Sequence, residues 1–274
     1  MNKKTIGNIF NNLILLLGSI VMIFPFYWMF LSAFKSPAEV NSTPPTWIPK
    51  TFNFNNFIYA FQTSPFGRYF LNSIIVTISV VLLTMFVTIL AAFAFSRLKF
   101  PGRDLLFSFC ISLMMVPFEM IVITNYATIS KLKLIDTLVG LIIPFTSSIF
   151  YTYILRNFFL SIPDSLYYSA RVDGASNWNY LWRVMVPIAK PALFTIALLN
   201  AILSWNAFYW PYLIVNSKLN RTLPLGLYAF ITEGGVRYER LMAAATIVVI
   251  PIIILFLFAR KNIVAGVARG GLKG

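Results

Sequence analysis

An all-α protein that crosses a membrane six times is the fold class this sequence predicts. Three observations carry that reading. Of 274 residues, 59% are apolar and 17% aromatic. Only 11% are charged, against about 25% in an ordinary soluble domain. The apolar residues also gather into six runs, each near the roughly 20 residues that a spanning helix needs. They lie at 13–34, 70–96, 105–129, 138–159, 192–215 and 241–259.

The first run follows a short amino-terminal tail, 1–12, that carries Lys3 and Lys4. It is longer than the roughly 7–15 apolar residues of a secretion signal, and no small-residue cleavage site follows, so it reads as an uncleaved signal anchor. Residues 35–69 form the longest connection. Pro37, Pro44, Pro45, Pro49 and Pro65 forbid a continuous helix there. The expectation is an extended external lid segment followed by a short interfacial helix over 54–61, with Trp47, Phe52, Phe54 and Phe57 at headgroup level. Spans two and three are joined by the compact turn SRLKFPGRD at 96–104, and 216–240 forms an outer loop containing Gly226, Gly234 and Gly235. With the amino terminus inside, 13 of the 22 Lys and Arg residues fall on the cytoplasmic side and nine outside. That bias puts both termini, including the tail 261–274, in the cytoplasm of a multi-pass membrane protein. The net charge of +14 is then membrane-flank dressing; no basic-aromatic groove points to nucleic acid.

Residues 161–189 differ from everything around them. They are polar, and unpaired polar groups are costly in hydrocarbon, so the segment must lie outside it. Its grammar is helix, glycine, helix. Ser161 is placed to cap a first helix with Pro163 near its start, and Gly174 to end it. Ser176 is placed to cap a second, which Pro187 and Pro191 stop or kink. A plain connection between spans rarely needs such length, so this two-helix knob reads as a cytoplasmic docking element.

Absent chemistry narrows the function. The chain has no His, one Cys, and no GxxxxGK[ST], HExxH, CxxC or GxSxG motif. No catalytic residue, metal ligand or cofactor site is expected. Of eight carboxylates, Glu119 alone lies well inside a run. It either lines an aqueous path or bonds backbone groups freed by Pro117. In SWNAFYWP, Trp205, Asn206, Tyr209 and Trp210 either meet a solute, amide to hydroxyl and aromatic face to sugar ring, or form an interfacial belt. Asn72, Asn125 and Tyr126 are open to solute contact or helix packing alike. A carrier or channel working alone would want charged pairs at depth or a filter. A chain with no energy-coupling chemistry and a docking knob instead needs an external motor.

The knob is where a family resemblance enters. ARVDGAS at 170–176, followed by Val186-Pro187 and Pro191, resembles the EAA loop of ABC-importer membrane subunits. PFYWMFLSAFK (25–35), NSIIVT (72–77), AFAFSRLKFPG (92–102), SWNAFYWP (204–211) and NIVAGVARGGLKG (262–274) extend the likeness over most of the chain. It resembles the shorter, six-span permease of a carbohydrate-uptake heterodimer of the maltose/oligosaccharide type. The resemblance implies a type I ABC importer permease fold with its core at 70–260. It implies a homologous second permease, two cytoplasmic ATPases that bind ATP and Mg, and an extracytoplasmic solute-binding protein. The ATPase-coupling residues it implies are Tyr167, Tyr168, Ser169, Ala170, Val172, Asp173, Gly174, Ala175 and Pro187. Tyr168 stands where the family has glutamate and Ser169 where it has alanine, so docking should rest on apolar contact from Tyr167, Tyr168 and Val172. The terminal GGLKG resembles a family tail that reaches between the ATPases. A glycerol-phosphate or amino-acid permease remains the alternative.

Overall fold

The computed structural model describes residues 3–232 and 235–270. The regular structure of the described residues is helical, save one short antiparallel pair in which Ile231 faces Val236. Its helices, in order, are α1 (Lys3–Ser32), α2 (Pro37–Val40), α3 (Asn55–Thr63), α4 (Phe66–Arg97), α5 (Arg103–Leu113), α6 (Phe118–Lys131), α7 (Leu138–Ile142) and α8 (Ile149–Leu160). Then follow α9 (Asp164–Val172), α10 (Asn177–Tyr180), α11 (Val186–Ile188), α12 (Lys190–Trp205), α13 (Tyr209–Ile214), α14 (Leu223–Gly226) and α15 (Tyr238–Gly270). The last four residues of the GGLKG tail, 271–274, lie outside the described residues.

Three described helices are long and apolar enough to span alone: α1, α4 and α15. Three bent pairs are, taken together, also long and apolar enough to count as candidate spans: α5 with α6 at 97°, α7 with α8 at 46°, and the helix 177–188 with α12 at 79°. Two differences from the sequence reading stand out. The apolar run 105–129 breaks at Met114–Pro117, where proline cannot donate the next helical hydrogen bond. The run 192–215 breaks at Asn206–Phe208, so α12 begins earlier, at Lys190, with Pro191 in its first turn, where a missing N–H costs nothing. Pro191 therefore starts a helix, and the break lies before it, at Ala189.

The chain forms two compact units. The first comprises residues 1–67 and 226–253. Here the proline-rich connection is clasped, not loose. Ser36 and Glu39 form a reciprocal capping box on α2, and the Lys50 N–H donates to the Glu39 carboxylate at 2.7 Å. The buried Lys35 ammonium lies 4.1 Å over the Trp28 ring and donates to the Thr46 carbonyl. Asn56 on α3 bridges the carbonyls of Ala33 and Lys35 at 2.8 and 2.9 Å. Phe34 collects the rings of Phe52, Phe54 and Phe57. The segment expected as an extended lid thus folds back on the end of α1.

The second unit comprises 68–225 and 254–274 and holds two apolar clusters. One gathers Phe93, Tyr151, Leu155, Phe159, Tyr180 and Met185; the other Val76, Val80, Leu141, Trp210 and Ile214. Trp210 donates its indole N–H to the Gly140 carbonyl at 3.1 Å. Gly140 has no alternative: a Cβ there would lie 2.3 Å from the Leu134 carbonyl oxygen.

Asp136 ties the α6–α7 loop to the chain after α13. Its carboxylate accepts from the backbone N–H groups of Asn216 and Ser217 and from the Ser217 hydroxyl, each at 3.0 Å. Burial alone would raise its pKa, but these bonds and the one from Asn220 hold it below the usual carboxylate value. A depressed folded pKa means stability present above the unfolded value of 3.8 and lost as pH falls through the lower folded one. Asp136→Ala, which orphans two N–H groups, is expected to destabilise by about 1–3 kcal/mol at neutral pH. In thermal unfolding of the detergent-solubilised protein, the gap from wild type should narrow below about pH 4. A gap that stays constant to about pH 3 would refute this account.

Candidate coupling surface and solute path

The knob is built as two braced helices. Ser161 closes α8, its hydroxyl donating to the Phe158 carbonyl at 2.7 Å, so it does not cap α9 as its position had implied. Pro163 takes the cap position, and Asp164 lies in the first turn of α9, where the helix dipole favours a negative charge. At the other end the Gly174 N–H reaches the Arg171 carbonyl and the Ala175 N–H the Ala170 carbonyl. That is the Schellman pattern, and Gly174 supplies the left-handed residue it requires, with φ +77°. Ser176 then caps α10, accepting from the Asn179 N–H at 3.1 Å. A π-helical stretch, Leu181–Met185, joins α10 to α11. This widened turn lies immediately before Pro187, whose ring would otherwise press on the carbonyl four residues back.

The coupling candidates divide by what they touch. Tyr167 and Ala170 face inward: the Tyr167 ring packs edge-on to Tyr180 at 5.1 Å and its hydroxyl donates to the Asn177 side chain at 3.0 Å. Tyr168 and Val172, one helical turn apart on one face, point outward, 58% and 88% exposed. Ser169, Asp173, Gly174 and Pro187 are exposed with them, and Ala175 is half-buried. Tyr167 therefore braces the knob, leaving Tyr168 and Val172 as the outward apolar pair among the coupling candidates.

Arg97, which sequence reasoning treated only as a membrane-flank charge, anchors this element. Its buried guanidinium pairs with Asp164 and donates to the carbonyls of Phe159 and Ile162 at 2.7 and 2.5 Å. The end of α4 is thereby fastened to the entrance of α9. Arg156 makes a second tie, donating to the Phe95 carbonyl at 3.1 Å, pairing with Asp104 at 3.4 Å and covering the Phe107 ring.

The solute-path candidates do not form one group. Glu119 sits exposed in the first turn of α6, with Asn125 half-buried and Tyr126 exposed further along. Trp205 is buried edge-on to Phe70 at 5.9 Å. Asn206 terminates α12, bonded to the Ile202 carbonyl at 3.0 Å, and Tyr209 is exposed. Trp210 alone among these seven lines a cavity of about 370 Å³ bounded by α4, α7, α8, α12 and α13. Its remaining walls include Ser204, from the SWNAFYWP run, and Thr84, Phe145, Tyr151 and Asn200, which the sequence reading did not single out.

Comparison with known proteins now adds to this geometry. Residues 85–269 match the family described as binding-protein-dependent transport system inner membrane component. The chain is 31% identical over 259 residues to the arabinooligosaccharides transport system permease protein AraQ of Bacillus subtilis (strain 168), covering 93% of this chain and 92% of that one. It is 32% identical over 266 residues to the sn-glycerol-3-phosphate transport system permease protein UgpE of Escherichia coli O1:K1 / APEC, covering 94% and 95%. A chain in the crystal structure of a bacterial ABC transporter involved in the import of the acidic polysaccharide alginate has the same fold. Its TM-score is 0.85 at 25% identity, over 95% of this chain and 98% of that one. This chain therefore belongs to the binding-protein-dependent inner-membrane components, the permease subunits of ABC importers, and has their all-helical fold.

Proposed function

We propose that this permease forms half of the translocation path for a sugar or oligosaccharide, paired with a homologous second permease. An extracytoplasmic binding protein delivers the solute. Two cytoplasmic ATPases, which hold the ATP and Mg, drive the cycle through residues 161–189. The observation that supports this best is the outward Tyr168–Val172 face on a knob fastened to α4 by Arg97. An apolar pair exposed on a rigid, polar-lined element has no use within the chain and suits a cleft on a partner. Closure of the ATPase pair around nucleotide would push the knob, and the spans would turn as rigid bodies between inward- and outward-facing states. The permease itself has no chemical step. Relatives named for arabinooligosaccharides and for glycerol-3-phosphate keep a sugar and a phosphorylated solute both compatible with this mechanism.

Topology gives a direct test. With six spans, the knob and both termini are cytoplasmic, so Ser165→Cys and Asn55→Cys in a Cys110→Ser background should label from opposite sides. Affinity purification through a tag on this chain should also bring down an ABC ATPase. External labelling at both positions, or a permease that purifies alone in a mild detergent while still transporting, would overturn the proposal.

A further inference from the structure

We infer that the connection after α1 is a lipid anchor: the hairpin 42–50 and one face of α3 sit in the bilayer leaflet at the carboxyl end of α1. The occupant of this apolar surface is phospholipid, not a second protein. The inference needs only that α1 crosses the bilayer, so it does not depend on which solute is carried.

Depth is the first observation. The Trp47 ring packs 6.1 Å from Phe24 and, edge-on, 6.0 Å from Trp28. Those residues precede Ser32, the end of α1, by eight and four positions, so the indole lies roughly 6–12 Å back along the helix. The apolar window Phe10–Ser32 has 23 residues, about 34 Å, against a hydrocarbon core of about 30 Å. The end of α1 is thus near the membrane surface, and Trp47 lies beneath it. Trp47 and Ile48 are nevertheless 61% and 64% exposed within the chain. The backbone suits such a place. Pro44, Pro45 and Pro49 bring no N–H that would need a partner. The Thr46 carbonyl accepts from the Lys35 ammonium and the Trp47 carbonyl from the Tyr27 hydroxyl.

The second observation is the surface of α3, which carries three stripes. Asn56 and Ala60 are buried and Phe57 half-buried against Phe34, so this stripe faces the protein. Phe54, Ile58 and Phe61, at i, i+4 and i+7, are each more than half exposed. Asn55 and Gln62, roughly a quarter turn further round, are exposed and polar. Phe57, expected at headgroup level, is turned inward, and Ile58 and Phe61 take its place. Protein on one side, an apolar stripe on the next and a polar stripe beyond it is the pattern of a helix lying in the membrane interface.

Continuity decides the occupant. Through Phe24 and Trp28 the hairpin joins the apolar window of α1, none of which is buried by the rest of the chain. The bilayer that α1 crosses therefore reaches Trp47 and Ile48 as well. Trp is a residue that membrane interfaces favour, and Trp47, Ile48, Phe54, Ile58 and Phe61 include no charge.

The test uses the assembled importer, purified through this chain and reconstituted in phosphatidylcholine–phosphatidylglycerol liposomes. Nitroxide labels are placed singly at Ile48→Cys, Ile58→Cys, Phe61→Cys, Asn55→Cys and Gln62→Cys in a Cys110→Ser background. Relaxation by oxygen and by a water-soluble nickel chelate reads their depth. Labels at 48, 58 and 61 should lie roughly 5–10 Å below the headgroups, reached by oxygen and shielded from nickel. Labels at 55 and 62 should be open to nickel. Nickel access at 48, 58 and 61 equal to that at 62 would overturn the inference, since the segment would then be a lid in water. Exclusion of both relaxants there would overturn it too, showing the face covered by the second permease or the binding protein. Should the variants fail to assemble, lipids brominated near the headgroup end should quench fluorescence that Trp47→Phe lacks; equal quenching in wild type and Trp47→Phe would overturn the inference. None of these failures touches the uptake reading, which falls only if the importer carries no sugar.

Discussion

Gly174→Pro is expected to abolish solute uptake while the protein still inserts in the membrane. The residue sits at φ +77°, and proline is fixed near −65°. Proline would also remove the N–H that donates to the Arg171 carbonyl. The turn could then form only by redirecting α10 relative to α9, and the outer Tyr168–Val172 pair would no longer meet its partner in register. Bulk is not the issue, because a Cβ at this position has nothing within 4 Å. The cost is conformational, about 1–2 kcal/mol for an ordinary L-residue and less for asparagine. Uptake in proteoliposomes should therefore fall from Asn through Ala to Pro, with Pro inactive. Wild-type uptake by Gly174→Pro would show that this turn does not transmit the ATPase motion.

Tyr168→Ala should weaken ATPase association about 10-fold and uncouple hydrolysis from transport, whereas Tyr168→Phe should be tolerated. The family glutamate is missing here, so the contact at this position depends on apolar area. Fully burying such a ring is worth about 1.5–3 kcal/mol, and an exposed ion pair about 0–1. Since each 1.4 kcal/mol is tenfold, losing part of that area accounts for the expected drop. The neighbouring Tyr167 cannot substitute, because its hydroxyl and ring are occupied by Asn177 and Tyr180. Raising salt should change this contact little, since screening acts on charge. If Tyr168→Phe binds the ATPase as poorly as Tyr168→Ala, the hydroxyl is the working group and the apolar account fails.

How much of this was legible in the sequence depends on the range of the interaction involved. Apolar runs announce helices, and Gly174 and Ser176 announce a turn and a cap, because those signals act within a few residues. Pro117 marks a break, but neither the 97° bend across it nor the packing of Phe118 against the distant Phe145 and Trp210 has a local signal. Ser161 reads as the cap of α9, yet it closes α8, and Pro163 takes the cap position instead. Asn200 resembles any amide in an apolar run until the cavity beside it is seen. Tyr167 and Tyr168 are adjacent and chemically identical; only the fold says which is the brace and which the outer face. Arg97 and Asp164 lie 67 residues apart, and nothing local to either predicts the pairing.

That last pairing bears on how permeases of this kind are recombined. A coupling loop looks like a portable module, bounded by two apolar helices and complete in its own caps. Here its entrance is held by a guanidinium donated from another part of the chain. A chimera exchanging residues 161–189 alone would carry Asp164 away from Arg97 and present that arginine with carbonyls of a foreign junction. The natural unit of exchange is discontinuous: the loop together with the end of α4, cut so that the arginine and the helix it fastens travel as one inheritance.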